Sequence, residues 1–562
     1  MSKLSGFVRS LLFFILLVST LFSCGTFSGT PQIKPDYTDA EIRLSEAGNI
    51  RRIIQDNPVK ALWLSSLLLE KSASDDTFES LIFDCTEAVK KRMEDAATNE
   101  RWYEAESLCR TLVCVCGEET VPSEVRQKIQ EGFDNLVSSF FAASSYYVDS
   151  DSEAQAFKAA DFIKGTVTMW VDKGVTVQNR VGYADVALGS GFFVDESGYI
   201  ITNYHVIQSE VDPKYEGYSR LYIKLAGKPD DRIPAKVVGW DPSVDLALVK
   251  ADVKPGFVFS LGSASDLDVG DRILAVGAPL GLEHTVTSGI ISAVNRDVGM
   301  PEKVIQIDAA VNSGNSGGPV VDSDGRVQGI VFAGLAEYQG LNFVIPVESL
   351  KAELHALSAG GEVYHPWIGA SSRTKKVYPS DEDGIGVEVL YVMPAGIADY
   401  AGIIPGDVIC SFDGVPVKDI DELHSCMIPA GIDRIVEVGL LTGAELDEEK
   451  TVKVYLEKMP EHPGLEICMN DLLYKALYPV FGMELVPVSS ASAGKFVVKS
   501  VIKGSIADES GFSDGDPVEI ISAEPVEDDS YLYIEIYAKK RRKGYLDVTL
   551  GIAAPLDSTS FF

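Results

Sequence analysis

Residues 311–321 read VNSGNSGGPVV. Valines on both flanks predict strands, and Gly314, Gly317 and Gly318 between them predict backbone that turns tightly or approaches a neighbour closely. Two readings are open: a Gly-rich β-turn, or a strained turn that presents Ser316 as a nucleophile. A serine hydroxyl is a poor nucleophile until a base takes its proton, which an imidazole does best near neutral pH. The imidazole in turn needs a carboxylate to fix its tautomer and stabilise the imidazolium. The second reading therefore depends on a histidine and an acid elsewhere in the chain.

Six histidines are available. His284, His355, His365, His424 and His462 fall in loops or on helical stretches without chemical context and read as surface residues. His205 differs, because it follows the strand-like YIITN and is delivered by a strand end to a loop. Asp245 opens DLALVK, a charge directly before a buried-looking strand. The order His205, Asp245, Ser316, with separations of 40 and 71 residues, is the chymotrypsin-like order and fits a two-barrel domain.

The surrounding texture agrees. From Gly165 the chain runs in short β-branched segments divided by Gly, Asp and Asn, among them RLYIKLAG, AKVVGWD and RILAVGAP. Such strands without intervening helices predict a sandwich or barrel, continuing to about Pro346 and followed by a helix near Val347–Leu357. Between Asp39 and Tyr147 apolar residues recur at helical spacing, as in NPVKALWLSSLLLE, which predicts three to five helices of unassigned role. Beyond Tyr364 the chain repeats itself. PAGIADYAGIIPGDVICSFDGVPV (394–417) aligns without gaps with KGSIADESGFSDGDPVEIISAEPV (503–526), and eight positions match at an offset of 109. A period that long means two copies of a whole small domain.

With 562 residues the chain needs several domains, and its net charge of −34 opposes nucleic acid as a partner. The basic run Lys539–Lys543 reads as a solvated turn between late strands. Lys3, Arg9 and the apolar stretch Leu11–Phe22, short for a membrane-spanning helix, form a targeting segment, and the stretch ends in Leu21-Phe22-Ser23-Cys24-Gly25. This box resembles a bacterial lipoprotein signal in which Cys24 is lipidated. Phe22 is bulkier than the usual small residue, so an ordinary cleaved signal and an uncleaved anchor remain open; every reading exports the body of the chain. Seven cysteines follow Cys24, an odd number, and Cys109, Cys114 and Cys116 lack the partners of a zinc site. Core packing or one disulfide is expected for them.

Residues 161–357 resemble the protease domain of the HtrA/Deg family of serine proteases. GSGFFVD, ITNYHVI, DPSVDLALVK, LGSASDLDVGDRILAVGAPLG, TSGIISAVNR, IDAAVNSGNSGGPV and LNFVIP match family blocks in their usual order. The resemblance implies a chymotrypsin-like fold with His205 as general base, Asp245 as its partner, Ser316 as nucleophile and the N–H groups of Gly314 and Ser316 as oxyanion hole. Ser313 stands where the family commonly has proline. Asn342 stands where it commonly has glycine, beside Phe343 on the strand expected to pair with substrate and border the specificity pocket. The loop Gly334–Gly340 is the one expected to move. The two repeats resemble PDZ domains, which take a peptide C-terminus as an added strand. In the first copy Trp367-Ile368-Gly369-Ala370 occupies the place of the capturing loop. In the second copy, whose counterpart is Phe481-Gly482-Met483, the Asp413-Gly414 turn has become Ser522-Ala523.

The expected architecture is multidomain: a leader at 1–23, a tether at 24–38, an all-α region at 39–148 and a linker at 149–160. An all-β double barrel follows at 161–357, then two α+β PDZ-like domains at 363–459 and 470–553. The implied activity is an ATP-independent serine endopeptidase that removes misfolded envelope proteins, needs no metal or organic cofactor and assembles as a trimer or multiples of trimers. Its partners would be unfolded chains, peptide C-termini and, through Cys24, a membrane. The alternative is a PDZ-containing holdase chaperone, or a regulatory sensor of narrow proteolysis.

Overall fold

The computed structural model describes residues 29–562 apart from 71–75, 142–158, 179, 214–218, 229, 265–266, 279–284, 297–302, 313, 335–340, 376–384, 445, 490–493, 527–528, 542–544 and 559. The leader, Cys24, most of the expected linker, Ser313 and nearly all of the loop 334–340 lie outside the described residues.

Five helices open the described chain: α1 (Ala40–Ile53), α2 (Pro58–Glu70), α3 (Asp76–Thr98), α4 (Trp102–Cys116) and α5 (Ser123–Phe141). Asp39 caps α1 by accepting the N–H groups of Glu41 and Ile42, which satisfies donors the helix leaves orphaned. α2 is apolar nearly all round and buries Val59, Ala61, Leu62, Trp63 and Leu68. A helix of that pattern must be enclosed on more than one side.

After α6 (Ala159–Gly165) come β1 (Thr166–Gln178), β2 (Val181–Phe193), β3 (Tyr199–Thr202), α7 (Tyr204–Val211), β4 (Arg220–Leu225), β5 (Ile233–Asp241) and β6 (Leu246–Ala251). They pair in the order β5-β4-β1-β2-β3-β6, and β6 returns to β5 to close the ring. A second closed barrel is built from β7 (Arg272–Gly277), β8 (Thr285–Arg296), β9 (Val304–Ile307), β10 (Pro319–Val321), β11 (Val327–Gly334) and β12 (Asn342–Pro346), in the order β10-β11-β12-β9-β8-β7. Closure removes the sheet edges that would otherwise invite association. α8 (Val347–Ala359) then packs with Leu350, Leu354 and Leu357 on the seam between the barrels.

The next segment does not leave as a loose linker. Gly361 and Glu362 form β13, parallel to Gly239 and Trp240 of β5, and Val363 N–H donates to Trp240 O at 2.8 Å.

The first PDZ domain comprises β14 (Pro366–Trp367), β15 (Ala370–Lys375), β16 (Gly386–Val392), α9 (Ile397–Ala401), β17 (Val408–Phe412), β18 (Val415–Pro416), α10 (Ile420–Ala430), β19 (Arg434–Thr442) and β20 (Glu448–Lys458). Its sheet runs β14-β20-β19-β17-β16-β15, so β15 is an edge strand. The second contains α11 (Pro463–Asn470), α12 (Leu473–Phe481), β21 (Met483–Pro487), β22 (Lys495–Val501), α13 (Ile506–Glu509), β23 (Pro517–Val526), β24 (Tyr531–Arg541) and β25 (Tyr545–Pro555).

The internal repeat is reproduced bond for bond. Asp407 Oδ2 accepts Ile404 N–H and Asp516 Oδ2 accepts Ser513 N–H, both at 3.0 Å. Gly402 and Gly511 both sit at left-handed φ, +79° and +80°, after matching short helices. The copies part at the changed turn. Asp413 (φ +49°) and Gly414 (φ +80°) make a hairpin turn, whereas Ser522 and Ala523 let β23 run on into a meander with β24 and β25. Among the described residues the second copy has no counterpart of α10.

The helical region shares one buried cluster with the first PDZ domain, joining Ile50, Leu62, Trp63 and Leu112 to Val436, Val438 and Val454. Polar contacts fix the fit: Trp63 Nε1 donates to Lys453 O at 2.9 Å, Asn57 Nδ2 to Tyr455 Oη at 2.8 Å, and Arg92 pairs with Asp433 at 2.5 Å. The expected tether is not free either. Thr30 N–H donates to Met469 O at 3.1 Å and Lys34 pairs with Asp399 at 3.0 Å. All seven cysteines after Cys24 are free thiols, so packing holds them rather than a disulfide.

Candidate active site

The three sequence-marked residues come from the junction of the two barrels. His205 lies in the first turn of α7, one residue beyond the loop expected for it. Asp245, between β5 and β6, adopts φ +61°, a conformation that Asp tolerates better than most side chains. Its carbonyl oxygen accepts Asn203 Nδ2 at 2.8 Å and Tyr204 N–H at 3.3 Å. Both carboxylate oxygens then engage His205: Oδ1 accepts its backbone N–H at 2.8 Å, and Oδ2 lies 2.7 Å from ring Nδ1. An ionised carboxylate only accepts, so Nδ1 carries the proton and Nε2 is left as the basic nitrogen. The ring is half exposed while Asp245 is largely covered, the disposition of a base held from behind.

Ser316 sits on the turn before β10. Its neighbours explain the glycines there. A Cβ on Gly317, at φ +83°, would lie 2.2 Å from Ser190 O, and one on Gly318 would lie 2.2 Å from Val276 O. Ser190, on β2 of the other barrel, holds the turn: its N–H donates to Ser316 O at 2.7 Å and its hydroxyl to Gly314 O at 2.6 Å. The same hydroxyl accepts Ala278 N–H at 2.9 Å, and Ser190 O accepts Thr202 Oγ1 at 2.7 Å. With the Gly314 carbonyl turned to Ser190, the N–H groups of Gly314 and Ser316 have no acceptor among the described residues. The Ser316 hydroxyl contacts Phe332 O at 3.4 Å, and no Ser316–His205 hydrogen bond is present among the described residues.

Ser190 and Thr202 were quoted within family blocks without a role. The small residues on both sides of Ser190 were the available signal: a Cβ on Gly189 would lie 3.2 Å from Ser316 O, and one on Gly191 would lie 2.9 Å from Ile201 O of the same barrel.

The strand carrying Asn342 and Phe343 is paired on both edges, Asn342 facing Gly334 of β11 and Ile307 of β9. It cannot add a substrate strand, contrary to expectation. Asn342 instead sends Nδ2 to Ala309 O at 2.8 Å, on the segment leading to the nucleophile turn, and Phe343 stacks obliquely near Phe332. The open backbone lies on β11 beyond Val331, whose carbonyl accepts Gly317 N–H at 2.7 Å and whose N–H donates to Gly318 O at 2.9 Å.

His365 is not a surface residue. Its Nε2 lies 2.6 Å from Asp241 Oδ2 and 4.0 Å from Glu353 Oε1, both carboxylates fully buried. These are the donors closest to a metal-binding arrangement among the described residues, within 4.8 Å of one another. The His365 ring, hydrogen-bonded to Asp241 with Glu353 beside it, links β5 and α8 to the start of the first PDZ domain.

In the first PDZ domain the segment Trp367-Ile368-Gly369-Ala370 leads into β15, with Gly369 at φ +79° and its carbonyl accepting Met393 N–H at 2.8 Å. The free edge of β15 is covered. Ala370 N–H donates to Phe562 O and Phe562 N–H to Ala370 O, both at 3.0 Å, and Ser372 N–H donates to Ser560 O at 2.8 Å.

Family models match the chain as a trypsin-like peptidase domain at 189–330, a PDZ domain at 388–439 and a TP0546 family PDZ domain at 464–556. The helices match a domain of unknown function, DUF8517, at 41–135. A probable periplasmic serine endoprotease DegP-like of Rickettsia conorii is 32% identical over 395 residues, covering 65% of this chain and 74% of its own length. The chain belongs to the HtrA family of serine proteases. A putative serine protease, HhoA, of Synechocystis is 38% identical over 276 residues, covering 45% of this chain and 67% of its own length. Across the curated relatives compared, the matched share of their own length runs from 54% to 74%. A solved HtrA-type protease, AlgW with a tripeptide, overlaps 54% of this chain and 98% of its own at a TM-score of 0.44 and 27% identity. This HtrA-family chain is a serine endopeptidase with two PDZ domains.

Proposed function

We infer that the protein cleaves unfolded or damaged envelope proteins through an acyl-enzyme on Ser316. The observation that carries this is the clamp on His205: both oxygens of Asp245 hold one residue, fix the Nδ1–H tautomer and leave Nε2 for the nucleophile. The Ser316 hydroxyl, which contacts Phe332 O at 3.4 Å, would turn to that nitrogen to react. His205 Nε2 takes the hydroxyl proton as Oγ bonds to the scissile carbonyl carbon. The oxygen that becomes negative is received by the N–H groups of Gly314 and Ser316. Collapse expels the amine, which takes the proton from His205, and water repeats the sequence to release the acid.

Substrate would lie along the open part of β11, with Asn342 and Phe343 bordering the pocket for the residue before the scissile bond. Peptide ends would be caught by the edge of β15 beside Trp367, Ile368, Gly369 and Ala370. Export fits the leader and the relatives named periplasmic, with Cys24 as the lipid anchor. Trimeric assembly is carried over from the family resemblance.

The test is a fluorophosphonate probe followed by peptide mapping, alongside casein cleavage by the wild type and Ser316→Ala. Labelling of Ser316 with cleavage by the wild type alone is expected. An unlabelled Ser316, or casein cleavage that survives Ser316→Ala, would refute the assignment.

A further inference from the structure

The edge of β15 is occupied by this chain itself. After β25 ends at Pro555, Leu556 is pinned from both sides, its N–H to Ser530 O at 2.9 Å and its carbonyl to Gly464 N–H at 2.8 Å. The chain then turns, Phe561 N–H closing on Ser558 O at 3.0 Å, and lays Ser560–Phe562 antiparallel to Ala370–Ser372. The three backbone hydrogen bonds to Ala370 and Ser372 are those of strand addition.

Both aromatic side chains are fully buried, each 1% exposed. Phe562 joins the cluster containing Ile368, Ala370, Leu423 and Met427; its backbone bonds to Ala370 and its place beside His424, Met427 and Ile428 in one cleft set it between β15 and α10. Phe561 enters the other cluster, with Trp367, Tyr391 and Leu477. The segment therefore fills a strand–helix slot and also bridges the two PDZ domains. The second PDZ copy, which lacks a counterpart of α10 among the described residues, serves as the mount from which it reaches the first.

We propose that Ser560–Phe562 is a resident occupant of the first PDZ groove, which recognises extended segments bearing a Ser-aromatic-aromatic pattern and admits an outside peptide only by displacing this strand. The proposal rests on the reading of β15 and α10 as a peptide-binding groove. Only Leu556–Thr559 separate the occupant from β25, and so short a tether holds it at an effective concentration in the millimolar range. An outside peptide of the same sequence then binds roughly 10–100-fold more weakly than to an emptied groove.

The experiment uses the full chain carrying Ser316→Ala and a fluorescent peptide LDSTSFF, with LDSTSAA as control, followed by anisotropy. Phe562→Ser in the same background should bind LDSTSFF at least tenfold more tightly than the parent, with LDSTSAA binding neither. Equal, measurable affinity of parent and variant overturns self-occupancy and leaves the groove reading standing. No binding to either removes both. Hydrogen exchange on the parent gives a second measure that does not depend on the variant's folding. Residues 556–562 should be protected alone and exchange faster under saturating LDSTSFF, and protection that persists while peptide binds overturns the proposal.

Discussion

Asp245 does more than face the histidine: one oxygen takes the ring N–H and the other takes the backbone N–H of the same residue. In Asp245→Asn the amide oxygen can keep only one of these bonds. If it stays on the backbone, the NH2 group faces Nδ1 and drives the proton to Nε2, where it blocks the base. The expected result is a fall of about 10⁴-fold in kcat with KM little changed, measured on a fluorogenic peptide. A loss below tenfold would mean that Asp245 does not set the tautomer. Ser190 makes the complementary case. Ser190→Ala leaves Gly314 O and Ala278 N–H buried without a partner, at a cost of about 1–3 kcal/mol, and frees the Gly314 peptide to rotate. Urea unfolding in the Ser316→Ala background should show that loss of stability, and the active parent should lose activity with it. The triad was legible because each member sits in a local pattern with its own strand. Ser190 was not, because its bond to Gly314 joins residues 124 apart and no periodicity announces it.

Among the elements, the repeat was readable to the level of single side chains. The Asp that accepts an N–H three residues earlier recurs at 407 and 516, and the left-handed Gly402 and Gly406 recur as Gly511 and Gly515. The loss of Asp413-Gly414 in the second copy was also visible. Its consequence, a strand that runs on and no following helix, depends on where the next strands pair. Helix α2 shows the opposite limit. Its all-round apolarity predicts enclosure, but no pattern in a helix names the sheet that encloses it. Trp63 is the residue that answers, fully buried and bonded to Lys453 O on β20, with its ring 6.0 Å from that of Tyr455. Trp63→Ala should cost about 3–5 kcal/mol. Because the cluster is shared, hydrogen exchange should rise in β19 and β20 as well as in α2. Loosening confined to the helices would show that the two cores are separable.

Across the whole molecule, two histidines besides His365 that were expected at the surface also lie at seams between domains. His355 on α8 stacks on Phe133 of α5 at 5.4 Å, joining protease and helical regions, and burial lowers its pKa. His424 on α10 borders a cleft of about 1160 Å³ that also receives Tyr204, next to His205, Trp240, and the inserted Phe561 and Phe562. Burial pushes His424 down to about 4; Asp421 opposes the shift and His365 adds to it. A histidine held neutral in the fold is protonated more readily in the unfolded chain, so its contribution is complete above pH 6.5 and is lost as pH falls towards 4. His424 is only partly covered, so the loss near pH 4.5 should be on the order of 2 kcal/mol rather than the full equivalent of the shift. His355 works in the same direction, so acid should loosen both seams. The measurement is thermal unfolding of the Ser316→Ala chain at pH 7.5 and 5.0, beside His424→Leu in that background. The parent should lose several degrees on acidification and the leucine variant distinctly fewer, since the difference between the two pH responses removes every group they share. Identical pH responses would leave His424 no part in joining α10 to the inserted strand, and acid sensitivity would then have to arise at the His355 seam or among the carboxylates.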